Sequence, residues 1–255
     1  MIHKTAILNS NAQIDKTASI GPNTLVGEHV VIGANTRIGA NCVVDSYTKI
    51  GTDCEIFTGA IIGSVTQDKK YKGGKTYLEI GDRNQIREYT TINSSTDDSD
   101  KTVIGSDNMF MAYSHVAHNC KIGNKVTFAN NATLAGHVIV EDLVVIGGLT
   151  AIHQFTRIGR LAIIGGCSKV VQDILPYSMA DGHPAKIYST NSIGLDRAGF
   201  NRETKMKIKR AIKILCHMKL NLQSAVKRIE EEVGVSGPVK EMVDFAFSSE
   251  RGFAK

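Results

Sequence analysis

Every sixth residue of this chain is apolar over most of its length. From Ile2 the series runs Ile2, Leu8, Ile14, Ile20, Val26, Ile32, Ile38, Val44, Ile50, Ile56, Ile62. It resumes at Ile80, Ile86 and Ile92. It then runs from Ile104 through Phe110, Val116, Ile122, Phe128, Leu134, Val140, Ile146, Ile152, Ile158 and Ile164 to Val170. Gly often follows the apolar residue, and the fifth residue of a hexad is usually small, as at Thr24, Thr36, Cys42, Cys54, Ala60, Cys120, Ala132 and Thr150. A fixed hexapeptide period predicts a parallel β-helix. Each hexad is a short strand plus a turn that cannot bury its apolar face alone, and stacked coils join those faces into one core. Unrelated strands would not hold phase across two interruptions.

The interruptions differ in character. Ser64 to Tyr77, SVTQDKKYKGGKTY, is polar, basic and Gly-rich, and reads as a protruding loop in which Gln67, Asp68 and Lys70 suit a polar substrate. A solvated charge run explains that composition equally well. Ser94 to Thr102, SSTDDSDKT, is a short acidic loop with no chemistry legible from composition. The repeat stops near Val170 in a turn-rich exit containing Pro176 and Pro184. The period then becomes helical: Met206, Ile208, Ile212 and Leu215 mark a helix within 200–218 capped by Asn201. Further helices are expected from about Leu222 to Val233 and within 238–249. The expected organisation is a mainly β solenoid over 1–190, with loops at about 64–77 and 94–102, and a helical domain over 191–255.

Composition adds limits. The 255 residues carry a net charge of +5, with no Trp and four Pro. The start MIHKTAILNS has no apolar core of a secretion signal, and no stretch is apolar enough to span a bilayer, so a cytoplasmic protein without membrane insertion is expected. Cys42, Cys54 and Cys120 fall at the small inward position and read as buried thiols, neither bridges nor ligands. From Arg197 to Arg228 there are ten Lys or Arg and one acid, Glu203. Such a face suits acidic partners, although a merely solvated surface has the same composition.

The hexads resemble those of the bacterial hexapeptide acyltransferases, whose fold is a left-handed β-helix of three hexads, 18 residues, per coil, assembled as a homotrimer. With that coil length, His118, Gly136 and Gln154 share one column on successive coils, ~4.8 Å apart. His137 and His153 flank the column, and His115 precedes it in the same coil as His118. A neutral imidazole can take a proton from a hydroxyl near pH 7, and a glycine N–H can approach a developing oxyanion. Surface histidines with no role are the plain alternative, and clustering of four within three coils argues against it. A zinc site like that of the gamma-type carbonic anhydrases is disfavoured, because no H-x4-H pair occurs.

More specific motifs narrow the resemblance. They are Gln67-Asp68-Lys69-Lys70-Tyr71, IGDRNQIRE over 80–88, HVAH over 115–118, ANNATLAGHV over 129–138, IGGLTAIHQF over 146–155, and GGCS over 165–168. Together they are similar to the acyl-carrier-protein–UDP-N-acetylglucosamine O-acyltransferases, which open lipid A synthesis by moving a 3-hydroxyacyl chain from acyl carrier protein to the glucosamine 3-hydroxyl, without metal or other cofactor. The resemblance implies that His118 is the general base and that the Gly136 N–H forms the oxyanion hole. Asp68 and Lys70 would hold the sugar and its surroundings. His115, His137, His153 and Gln154 would line the sugar-nucleotide and pantetheine path, and Asn191 and Arg197 would meet the nucleotide. Gly166 would leave room in the acyl groove. The site would lie between subunits, and the basic helices would receive the carrier; nucleic acid is not an expected partner.

The chain departs from the family pattern at Asn119, often Asp; at Asn93, often His; and at Ile193 and Ala198, in a segment that often reads EGLKRRGF. A 3-amino sugar acceptor stays open. The pathway's later N-acyltransferase carries a uridine-binding domain ahead of its solenoid, whereas hexads begin here at residue 2. A non-catalytic solenoid that binds an acidic partner is the rival of another class.

Overall fold

The computed structural model describes residues 1–255. Most strands are two residues long and stack into three parallel walls. The first wall has nine strands, from Ile7–Leu8 to Lys169–Val170. The second has eight, from Gln13–Ile14 to Arg157–Ile158, and the third has ten, beginning at Ser19–Ile20. The chain runs first, second, third and back to first, so each coil turns three corners. The period-six residues point inward: Val44, Ile62, Ile92, Val116, Leu134 and Ile152 form one column of the first wall, each buried. Removal of such side chains from water is the main drive for stacking. The open end lacks it, and Ile2 is 48 % exposed.

Corners need backbone that L-residues rarely adopt, and Asn and Asp supply much of it, as at Asn23, Asn35, Asn41, Asp53, Asp107, Asn119 and Asn131, all with φ between 54° and 63°. The small inward residue has its own task. Thr24 and Thr36 donate from Oγ1 to the carbonyls of Gly39 and Gly51 (2.7 and 2.8 Å), and Cys54 and Cys120 donate from Sγ to Gly81 and Ala135 (3.1 and 3.2 Å). A hydroxyl or thiol there satisfies a turn carbonyl of the adjoining coil without leaving the core. The three cysteines are therefore buried and free, as expected.

Both interruptions leave from the same corner, between first and second walls. One joins Ile61–Ser64 to Tyr77–Ile80, and the other joins Thr91–Asn93 to Lys101–Ile104. Their bases are stitched together: Ser94 N–H donates to the Ser64 carbonyl (2.9 Å), and the Thr76 and Ser94 hydroxyls meet at 2.8 Å. Phase survives because Ile62 pairs with Ile92, and Ile92 with Val116.

The exit from the solenoid is more ordered than its turn-rich composition suggests. Ser178–Gly182 and Ala185–Thr190 form an antiparallel pair that closes the third wall, with Pro184 in its turn. Helix α1 (Ser192–Arg197), which hydrophobic spacing did not reveal, follows at once; the Asn191 side chain caps it by accepting the Gly194 N–H (2.9 Å). Helix α2 (Arg202–Ile212) begins at its Asn201 cap and passes into a wider π turn at Lys213–His217. Helices α3 (Leu222–Glu232) and α4 (Gly237–Phe247) complete the packing around Ile208, Leu215, Ile229 and Met242. No helix is long and apolar enough to cross a membrane.

Candidate active site

The corner that carries both loops also carries the histidines. His115 sits on a strand of the first wall, His118 in the turn after it, Gly136 one coil on, and His153 and Gln154 one coil further. Register makes this a true column: His137 N–H donates to the His118 carbonyl (3.0 Å), and Phe155 N–H to the Gly136 carbonyl (3.1 Å). A side chain at 136 would displace the His118 ring. A Cβ there would lie 2.4 Å from Cε1 and 2.5 Å from Nε2 of His118. The imidazole therefore lies flush against the Gly136 backbone.

Neighbours hold the ring. His118 is 9 % exposed, and its Nδ1 lies 2.9 Å from Asn119 Oδ1. His137 packs edge-on against it, with centroids 5.1 Å apart, and Phe155 stacks on His137 at 4.8 Å. His115 Nδ1 meets Thr91 Oγ1 at 2.7 Å. Burial, reinforced by His118, holds His115 below the ordinary imidazole pKa. Burial and His118 lower His137 also, while the Asp100, Asp68 and Asp97 carboxylates act in the opposite sense. Both imidazoles thus favour the neutral form, and both loops set carboxylates toward this corner.

The remaining predicted residues divide. Asp68 folds its own loop, accepting the Lys70 N–H at Oδ1 (2.9 Å), and the Lys70 side chain is exposed. Gly166 lies at the corner between third and first walls, stacked on Gly148, where an added Cβ would come 3.2 Å from the Gly148 carbonyl. Asn191 and Arg197 lie near the corner between second and third walls. They line a cavity of about 810 Å³ with Arg160, Leu161, Ile163 and Met179. Asn191 is buried and donates to the Leu161 carbonyl (2.8 Å), so its side chain is a structural cap here. Within one chain, Gly166, Asn191 and Arg197 do not join the histidine column.

Two contributors escaped the sequence reading. Arg251, beyond α4, donates from Nη1 to the Gln154 carbonyl (2.7 Å) and from Nη2 to His153 Nδ1 (3.2 Å), fixing the top of the column. It helps line a cavity of about 500 Å³ with His137, Phe155 and Arg157. Asp100, in the acidic loop, accepts from Asn119 Nδ2 (3.1 Å). Neither carries a sequence signal, since each acts through long-range contacts that no repeat duplicates. The basic face is also weaker than its composition suggested, because Lys205, Lys207, Arg210 and Arg228 pair with Asp196, Glu203 and Glu232.

Comparison with known proteins agrees along the whole chain. Residues 5–40 and 101–136 match the bacterial transferase hexapeptide family, and 173–254 match the family described as Udp N-acetylglucosamine O-acyltransferase, Domain 2. The acyl-[acyl-carrier-protein]–UDP-N-acetylglucosamine O-acyltransferase of Herminiimonas arsenicoxydans is 46 % identical over 260 residues, covering 100 % of this chain and 99 % of the relative. The Gloeothece citriformis relative of that name is 43 % identical over 175 residues; the match spans 69 % of this chain and only 63 % of that protein's length. Among solved structures, LpxA from Acinetobacter baumannii superposes with a TM-score of 0.94 at 38 % identity, covering 100 % of this chain and 99 % of the other. The Arabidopsis UDP-N-acetylglucosamine acyltransferase gives 0.88 at 34 %, covering 100 % of both. A hexapeptide β-helix, a helical C-terminal region and full-length likeness to these proteins lead to one assignment: the chain belongs to the acyl-[acyl-carrier-protein]–UDP-N-acetylglucosamine O-acyltransferase family.

Proposed function

We propose that this protein transfers a 3-hydroxyacyl chain from acyl carrier protein to the 3-hydroxyl of UDP-N-acetylglucosamine, the opening step of lipid A synthesis, with His118 as general base. The observation that carries this reading is the contact between the His118 ring and the Gly136 backbone. It sets a proton acceptor beside an amide N–H that donates to no acceptor of the chain. His118 takes the proton of the sugar hydroxyl, and the oxygen attacks the thioester carbonyl carbon. The Gly136 N–H stabilises the negative carbonyl oxygen of the tetrahedral intermediate. Collapse breaks the C–S bond, leaves the ester on the sugar, and returns the proton from imidazolium to the departing carrier thiolate. Asp68 and Lys70 border the sugar from the first loop.

The same reading includes a left-handed coil and a homotrimer with sites between subunits. Two observations support assembly. Gly166 and Arg197 lie at other corners than His118, so a site that includes them needs a second copy. The corner between third and first walls also exposes Tyr89, Tyr113 and Leu149, 52, 58 and 64 % accessible, in one column with the exposed Asn131, a largely apolar edge suited to burial between copies. The cations of the helical region left without an ion-pair partner, among them Arg202, Lys209 and Lys213, would receive an acidic carrier.

The test is acyl transfer from a panel of 3-hydroxyacyl carrier proteins to UDP-N-acetylglucosamine and its 3-amino analogue. His118→Ala is expected to lose about 10²-fold or more of the rate. Absence of transfer to either sugar by the wild type would refute the activity.

A further inference from the structure

Asn119 stands where a carboxylate commonly orients the base, yet its amide is not free to choose its orientation. At one end Nδ2 lies 3.1 Å from Asp100 Oδ2, and a carboxylate can only accept. At the other, Oδ1 lies 3.2 Å from the Thr96 N–H and 3.1 Å from Thr96 Oγ1, and a backbone N–H can only donate. The Asn119 N–H is anchored to Thr102 Oγ1 at 2.8 Å. Oδ1 therefore faces His118 Nδ1 as an acceptor at 2.9 Å, and Nδ1 must carry the hydrogen. That tautomer leaves the lone pair on Nε2, the ring nitrogen beside Gly136.

We propose that Asp100 is a positioning residue for His118, acting through the Asn119 amide, so that an imidazole–amide–carboxylate chain replaces a direct imidazole–carboxylate pair. This rests on His118 being the general base. The second loop thereby gains a task that its composition did not reveal. Asp100 suits it: burial opposes its charge, but the Lys101 N–H, the Asn119 amide and the Lys121 ammonium together hold its carboxyl below the ordinary value. Each carboxylate oxygen has one donor, Lys101 N–H on Oδ1 and Asn119 Nδ2 on Oδ2.

The chain makes a prediction whose sign reverses with residue 119. With Asn119 present, Asp100→Ala leaves the amide held only at its Thr96 end and lowers kcat roughly 10-fold with KM little changed, far less than the ~10⁴ lost when an orienting carboxylate bonded directly to the base is replaced in a Ser-His-Asp triad. With Asn119→Asp, the new carboxylate meets His118 directly but faces Asp100 at the distance of the old amide bond, and two carboxylates so placed resist joint ionisation. Asn119→Asp alone should therefore be less active than Asn119→Asp/Asp100→Ala, and the double variant should recover at least half of the wild-type kcat. Asp100→Asn, which keeps an acceptor for only one of the two donors, should fall between wild type and Asp100→Ala, and covers the case in which the alanine variant does not fold. Steady-state transfer assays on the full chain, with melting curves, read all of these. Wild-type kcat in Asp100→Ala and Asp100→Asn would overturn the proposal, as would a double variant no better than Asp100→Ala. Transfer retained by His118→Ala would instead remove the general-base reading on which it rests.

Discussion

Replacing Gly136 by alanine separates the chemistry of the column from its stability. The added methyl would sit 2.4 Å from His118 Cε1, whereas ordinary contact begins at 3.4 Å, so the ring must retreat by about 1 Å. Retreat stretches the 2.9 Å bond to Asn119 and carries Nε2 away from the attacking hydroxyl. A 1 Å misplacement of a reacting group costs roughly 10²-fold, or about 2.7 kcal/mol of barrier. Stability should change little. Gly136 does not use the left-handed region, so alanine gains ~0.4–1 kcal/mol by restricting the unfolded chain, against a loss of about 1 kcal/mol for one strained hydrogen bond. The amide N–H is retained, so the oxyanion contact is not the part removed. Gly147→Ala is the contrast: its methyl would meet backbone, 2.5 Å from Gly166 N and 2.7 Å from Gly165 C, and the coil cannot yield there. Steady-state transfer and thermal melting on both variants decide the matter. Gly136→Ala should lose kcat with a melting shift of a few degrees, while Gly147→Ala should fail to fold normally. Gly136→Ala with kcat within threefold of wild type would refute the argument, as would a melting loss as large as that of Gly147→Ala.

Other outcomes follow from the same contacts. His115 and His137 have folded pKa values below the ordinary 6.5, so the unfolded chain binds more protons than the folded one between those values and 6.5. Their contribution is complete above about pH 6.5 and is lost as pH falls from there toward the folded values; His115→Gln and His137→Gln should flatten that part of the melting-temperature profile. Burial raises the thiols of Cys42 and Cys54 and pushes those of Cys120 and Cys216 to about 12, leaving Cys167 as the exposed cysteine. Mass spectrometry after iodoacetamide should show at most one adduct on native protein and all five cysteines modified in denaturant. Gly166→Met should shift preference toward shorter acyl chains without lowering the best rate by more than a few fold, because the corner is exposed and only the Gly148 carbonyl, 3.2 Å from the added Cβ, must give by a few tenths of an ångström. An unchanged chain-length profile would remove Gly166 from the acyl path.

The amino-acid sequence alone determined the solenoid, its phase across both interruptions and the buried thiols; the stacking of His118, Gly136 and Gln154 followed from the same period once the family resemblance supplied an 18-residue coil. All are consequences of a period: the same contact recurs in every coil, so each hexad repeats the message. The placement of both loops at the histidine corner was also legible in principle, since each interruption follows a first-wall strand and the next hexads resume in register. Features made once had no such redundancy. Helix α1 is six residues long and is set by the Asn191 cap and its bond to Leu161, not by spacing. Arg251 reaches His153 from 98 residues away. The orientation of the Asn119 amide depends on Asp100 and Thr96, which belong to a loop without periodicity. Only the tertiary structure decided these, because a hydrogen bond between two unrepeated residues leaves no pattern along the chain and exists only once the coils have brought its partners together.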